Sequence, residues 1–301
     1  MTTTSAPFGQ MVTAMITPMT PDGAVDYDGA ARLADYLVTD MRNEGLVVNG
    51  TTGEAPTTTD AEKERLLRVV VEAVGTRAKV VAGVGTNITA HTVELARQAE
   101  RAGANGLLVV TPYYSKPAQD ALIAHFTTVA DSTQLPMLIY DIPGRTAVAL
   151  ATESLVKLSG HPRIVGVKDA KGDLAATSQV LARTGLAYYS GDDPMNLPLW
   201  SIGGVGCVSV TGHVVGDRIF EMLEAFTDGV VATKRNSRQR LIAFSAQREL
   251  RSGSRLPRIV ISCRGTPART KASATDKNVD PLRPGPSSTI RKCAPRFSPI
   301  Q

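Results

Sequence analysis

The chain has 301 residues, 43% of them hydrophobic, enough for a large core. Its net charge of +5 conceals two unlike segments: residues 1–232 hold 17 Lys and Arg against 25 Asp and Glu, whereas residues 233–301 hold 16 against 3. No apolar run approaches the roughly 20 residues of a bilayer span, the first ten residues carry no Lys or Arg for an export signal, and three scattered cysteines with four separated histidines make neither a disulfide framework nor a metal pattern, so a soluble, cytoplasmic protein is expected.

Short apolar runs alternate with helical periodicity from about residue 10 to residue 229. The first run is 11–18. The second, 46–49, leads into Gly50-Thr51-Thr52-Gly53-Glu54. Glycines in such a turn let backbone N–H groups converge on an anion, and the Thr51 and Thr52 hydroxyls can relay protons; taken alone, the segment also reads as an ordinary βα turn. Helical spacing follows over 60–70, then a run at 79–84. The segment Gly83-Val84-Gly85-Thr86-Asn87-Ile88 lacks the third glycine of a dinucleotide-binding turn. After a helical stretch at 91–99, the run 106–111 opens into Pro112-Tyr113-Tyr114, where one of two adjacent rings must face outward.

The fifth run, 137–142, carries Tyr140 near its end, and Arg145 follows five residues later. A phenol suits proton transfer, and a guanidinium suits a bidentate grip on a carboxylate. The sixth run, 164–168, ends in Lys168. A lysine inside an apolar strand is costly to keep charged, so it tends to lose its proton and become a nucleophile suited to Schiff-base chemistry. The seventh run, 187–190, is followed by Gly191-Asp192-Asp193, and the eighth is 206–211. Gly203-Gly204-Val205-Gly206 precedes that strand, where a phosphate-binding turn would have to follow one.

Eight strand-then-helix units predict parallel pairing with right-handed crossovers and, within about 220 residues, a closed (β/α)8 TIM barrel. In that fold the ends of the strands and the loops after them form one face. Lys168, Tyr140, Thr51, Tyr114, Arg145 and Gly191 are all expected there. The rest of the chain is different in kind. Residues 233–301 hold seven of the 18 prolines, two of the three cysteines and twelve arginines to four lysines. Such a composition does not bury a core.

Five segments together carry a resemblance. They are Gly50-Thr51-Thr52-Gly53-Glu54, Val110-Thr111-Pro112-Tyr113-Tyr114, Tyr140-Asp141-Ile142-Pro143-Gly144-Arg145, Val165-Gly166-Val167-Lys168-Asp169 and Ser190-Gly191-Asp192-Asp193. In this order and spacing, residues 8–230 resemble the dihydrodipicolinate synthase family of pyruvate-dependent class I aldolases. The resemblance implies that Lys168 forms a Schiff base with pyruvate, that Thr51 and Thr52 hold the pyruvate carboxylate, and that Tyr140 is the acid and base beside the imine. It further implies a proton relay from Tyr140 through Thr51 to Tyr114 of a neighbouring subunit in a dimer of dimers. Arg145 would bind the carboxylate of L-aspartate 4-semialdehyde, and Val208 and Gly191 would line the pyruvate pocket. No metal and no cofactor are implied, because the lysine is itself the electron sink.

Two departures from the family stand out. The positions matching its lysine-regulatory histidine and glutamate carry Lys63 and His91, with Asn87 kept, a poor setting for a cationic effector; weak or absent inhibition by lysine is expected. The family continues after the barrel with helices, which residues 233–301 do not resemble, so a catalytic barrel over 1–232 is expected to be followed by an out-of-frame or disordered basic tail. Competing expectations are another Schiff-base lyase acting on sugar acids or sialic acid, a barrel left inactive by its tail, and nonspecific nucleic-acid binding by that tail. Specific nucleic-acid recognition is not expected.

Overall fold

The computed structural model describes residues 5–228. The basic segment 233–301, with the sequence-based reading of it as out-of-frame or disordered, lies outside the described residues. Eight strands form a closed barrel in chain order: β1 (Met11–Ala14), β2 (Gly45–Val48), β3 (Lys79–Gly83), β4 (Gly106–Val110), β5 (Met137–Asp141), β6 (Ile164–Asp169), β7 (Ala187–Ser190) and β8 (Gly206–Ser209). Every neighbouring pair is parallel, and β8 closes on β1 through Met11–Cys207, Val12–Val208 and Thr13–Ser209. Each of the eight predicted runs overlaps one of these strands, with β2 starting one residue before its run and β6 ending one residue after its run, so the TIM-barrel reading holds.

The first and eighth runs overshoot their strands by more than one residue, for traceable reasons. β1 stops at Ala14 rather than continuing to residue 18. The Met15 N–H still reaches the Val47 carbonyl at 2.9 Å, but the Thr17 hydroxyl then turns to donate to the Gly53 carbonyl at 2.6 Å. β8 stops at Ser209 because the N–H groups of Val210 and Thr211 leave the ladder for the Asp193 carboxylate, at 3.2 and 3.0 Å. Both departures tie the open face of the barrel together.

The helices are α1 (Tyr27–Thr39), α2 (Asp60–Val74), α3 (Thr89–Arg101), α4 (Gln119–Asp131), α5 (Pro143–Thr146), α6 (Thr152–Leu158), α7 (Leu174–Leu181), α8 (Asn196–Ser201) and α9 (Gly212–Thr227). Their starts follow local chemistry. Asp26 and Asp173 accept from backbone N–H groups in the first turns of α1 and α7. Thr59 and Glu62 form a reciprocal capping box at α2. The α2 stripe Leu66, Leu67, Val70 and Val74 is buried against the barrel wall, as helical spacing requires.

Side chains of a strand alternate between the two faces of the wall. Val12, Val47, Val81, Leu138 and Val208 belong to the inner cluster, together with Tyr140 and Tyr189. Phe8 closes the amino-terminal end. Its N–H donates to the Tyr189 hydroxyl at 3.2 Å, and a Cβ on Gly106 would lie 2.3 Å from its ring, so β4 has to begin with glycine. Burying such a ring contributes about 2–3 kcal/mol. Register then sets the chemistry: Tyr140, Lys168 and Tyr189 stand level on β5, β6 and β7. No helix among the described residues is long and apolar enough to cross a membrane.

Candidate active site

Lys168 lies at the carboxyl end of β6 and is only 4% exposed. Its Nζ sits 4.2 Å from the centroid of the Tyr140 ring. Burial pushes the Lys168 pKa down to about 8, against the charge of Asp193, which favours the ammonium; the Arg145 guanidinium adds to the depression. About 10% of the amine is then neutral at pH 7, against roughly 0.03% for an ordinary lysine. The chain thus carries a lysine with a usable lone pair inside a barrel wall.

Tyr140 is buried as well. Burial pushes its pKa upward, while the Arg145 charge and a hydrogen bond with the Thr51 side chain favour the phenolate. The phenol is therefore held protonated, with a hydroxyl and a cation beside it that each favour the phenolate. Arg145 is exposed on α5, a one-turn helix that starts directly after the strand carrying Tyr140.

Thr51 and Thr52 occupy the turn after β2. The N–H groups of Gly53 and Glu54 close this turn on the carbonyls of Gly50 and Thr51, both at 3.1 Å. Its shape demands unusual backbone: Asn49 and Glu54 have φ of 60° and 54°. Such conformations cost of order 1 kcal/mol or more and concentrate at functional sites. Tyr114, in the loop after β4, has φ of 77° and is 88% exposed. Ala147, just beyond α5, adds another at 62°.

A cleft of about 570 Å³ opens on this face. Thr51, Tyr140 and Arg145 line it, and Tyr113 and Tyr114 form part of its wall. Lys168 stands behind the Tyr140 ring rather than on the cleft surface. Gly191, after β7, packs on the lysine stem: a Cβ there would lie 2.9 Å from Lys168 Cε. Val208 is fully buried in the barrel interior, level with Val12. Of the predicted site residues, the fold thus gathers Lys168, Tyr140, Thr51, Arg145 and Gly191, and puts Tyr114 at the same cleft. Lys168, Gly191, Thr52 and Val208 do not line it.

The same cleft extends to Asp60, Lys63, Asn87 and His91. Lys63 donates to the Thr58 carbonyl at 2.5 Å and stands 3.4 Å from Asp60, while His91 Nε2 is 2.8 Å from the other Asp60 oxygen. One carboxylate is thus shared by two basic side chains.

Several polar groups around the lysine were given no role by the sequence reading. Asp193 accepts from the Ser209 hydroxyl at 2.5 Å as well as from the two N–H groups after β8. His213 accepts from the Ile16 N–H at 3.2 Å through Nε2, so Nδ1 carries the proton toward the Val210 carbonyl at 2.8 Å. Burial lowers its pKa and keeps the ring a neutral tie between the exits of β1 and β8. Outside the wall, Asp141 and Asp169 follow Tyr140 and Lys168 and point the other way. The Asp169 carboxylate accepts from the Lys171 N–H and the Thr177 hydroxyl. Asp141, 3.8 Å from Lys171, has its pKa raised to about 6 by burial. Sequence periodicity does not show which partners meet them there.

A family profile described as the dihydrodipicolinate synthetase family matches residues 7–274. The chain is 65% identical over 226 residues to 4-hydroxy-tetrahydrodipicolinate synthase of Acidothermus cellulolyticus, a match covering 75% of this chain and 73% of that one. It is 59% identical over 240 residues to 4-hydroxy-tetrahydrodipicolinate synthase 2 of Streptomyces coelicolor, with 80% of each covered. Among solved structures, the lysine-bound enzyme of Cyanidioschyzon merolae superimposes with a TM-score of 0.78 at 38% identity, over 82% of this chain and 85% of the other.

Proposed function

Because the chain belongs to the dihydrodipicolinate synthetase family, we propose that Lys168 is the amine through which it acts. The activity is that of a lyase of the class I aldolase type, condensing pyruvate with L-aspartate 4-semialdehyde to 4-hydroxy-tetrahydrodipicolinate in lysine and diaminopimelate biosynthesis. The observation that carries the assignment of the lysine is its buried amine, 4.2 Å from the Tyr140 ring, at the carboxyl end of a barrel strand.

In this reading the neutral Nζ attacks the keto carbon of pyruvate. Tyr140 supplies the proton with which the carbinolamine loses water, and later takes one from the methyl carbon to give the enamine. Thr51 and Thr52 hold the pyruvate carboxylate through hydroxyl and N–H groups of their turn. The enamine carbon attacks the aldehyde, whose carboxylate Arg145 grips at the mouth of the cleft. The substrate's own amine then displaces Lys168 as the ring closes. An exposed guanidinium at this position suits an aldehyde bearing a carboxylate. Gly191 and Val208 shape the wall behind the bound keto acid. Reduction with borohydride in the presence of pyruvate, followed by mass mapping of the adduct, tests the assignment. A label on another lysine, or none, overturns it.

We further propose a dimer of dimers in which Tyr114 completes the proton relay of a neighbouring subunit. An aromatic ring left 88% exposed on left-handed backbone beside the cleft supports this. Sedimentation gives the assembly state, and mixing a Tyr114→Phe variant with a Tyr140→Phe variant tests the relay by the activity regained. The proposed compartment is the cytoplasm. The boundary at residue 232 is proposed from charge and composition alone, and retranslation of the coding DNA in the other two frames tests it: a helical pattern in one of them supports a shifted frame.

A further inference from the structure

We infer that Asp193 is a positioning residue for the positive charge on Lys168: its carboxylate, locked in place by neutral donors, is the counter-ion against which the amine gains and loses its proton. This rests on the Schiff-base role proposed for Lys168 and deepens it.

Lys168 has no carboxylate within ion-pairing distance among the described residues. Its neighbours on the adjoining strands are the rings of Tyr140 and Tyr189, and the charge of Arg145, on α5, disfavours its ammonium form. Burial holds both tyrosines in the neutral form. The anion nearest in sequence, Asp169, is turned outside the wall, onto the Lys171 N–H and the Thr177 hydroxyl. The loop after β7 takes a different course. It leaves the wall one residue past the level of Lys168, since Lys168 pairs with Tyr189 and Asp169 with Ser190. Gly191 lies against the lysine stem, and two residues on comes Asp193.

The Asp193 carboxylate is held on both oxygens. Oδ1 accepts from the Ser209 hydroxyl at 2.5 Å and from the Asn196 amide at 3.5 Å. Oδ2 accepts from the N–H groups of Val210 and Thr211 at 3.2 and 3.0 Å. None of these donors is charged, so the negative charge is fixed in position without being cancelled. Its field reaches Lys168, and also buried Cys207 and His213. Both of those are neutral, Cys207 with its thiol pKa driven up by burial and His213 as a fixed tautomer. Of these three groups, Lys168 is the one poised to change charge near neutral pH. The same nitrogen is positive as the ammonium and as the protonated imine, so the carboxylate favours both over the neutral amine.

The test is the pH dependence of cyanoborohydride trapping with pyruvate on the full chain, followed by mass mapping at Lys168. Wild type should show a trapping midpoint set by Lys168. In Asp193→Asn the midpoint should fall by about one pH unit, the lower end of what a nearby opposite charge imposes. Asp193→Glu, which keeps the charge, should restore it. Ser209→Ala loosens the same loop without removing the charge and should leave the midpoint in place. A midpoint unmoved in Asp193→Asn with Lys168 still labelled overturns the inference while leaving the Schiff-base role standing, as does an equal shift in Ser209→Ala. Absence of label in wild type fails the Schiff-base role itself. Should Asp193→Asn not fold, a one-unit shift in Asp193→Glu refutes the inference by itself.

Discussion

Gly191→Ala tests how closely the loop after β7 grips the lysine. The added Cβ would stand 2.9 Å from Lys168 Cε, 3.1 Å from its Cγ and 3.2 Å from the Asp169 carbonyl. Ordinary carbon contacts begin near 3.4 Å, so something must yield by about 0.5 Å. The carbonyl cannot, because it belongs to β6 and already accepts from the Gly191 N–H at 2.8 Å. The lysine stem can, and its amine moves with it. Overpacking of this kind costs typically 1–3 kcal/mol, and here a flexible stem takes most of the strain, so a stability loss of about 1 kcal/mol is expected. A reacting atom displaced by up to 1 Å costs about 10²-fold in rate. Trapping of pyruvate by Gly191→Ala should thus fall by about that factor while thermal unfolding shifts by only a few degrees. Gly144→Ala is the control, since its Cβ would meet nothing within 4 Å. Trapping within twofold of wild type in Gly191→Ala would refute the packing argument.

Four further outcomes are expected. Tyr140→Phe should keep the fold and lower turnover by about 10²–10⁴-fold, the usual loss of a positioned proton donor, read from steady-state rates. Trapping by wild type should rise with pH through about 8, where Lys168 loses its proton; because its pKa is depressed in the folded state, the unfolded chain binds more protons above pH 8 and this group adds stability as pH climbs toward the ordinary lysine value. For Asp141 the sign is opposite: with its pKa raised to about 6, the folded state binds more protons between about pH 4 and 6, so its contribution to stability is present at low pH and lost as pH rises. Asp141→Asn should flatten that slope in thermal melts taken between those pH values. Lysine at sub-millimolar concentration should leave the rate unchanged, because the basic Lys63 and His91 stand around one shared carboxylate in the arm of the cleft; clear inhibition would refute this.

Much of the molecule was legible in order along the chain. Each apolar run overlapped a strand because buried parallel strands are apolar on both faces, and a lysine at the end of such a run marked itself by its cost. The outward turn of Asp141 and Asp169, beside Tyr140 and Lys168, was read only from the structure. The boundaries at residues 18 and 211 were misjudged because hydrogen bonds from distant residues, Thr17 to Gly53 and Val210 to Asp193, draw the chain off the wall. Apolar patterning carries no trace of such bonds.

Residue order by itself determined the barrel and put Lys168 and Tyr140 at the carboxyl ends of its strands, since these follow from periodicity of 2 and 3.6. Only the tertiary structure decided the register that sets Lys168 level with Tyr140 and Tyr189, the neutral form of His213, and the pinning of Asp193 by groups sixteen to eighteen residues away. Those are properties of distance between side chains brought together by barrel closure, and an electric field inside a protein depends on that distance rather than on separation along the chain.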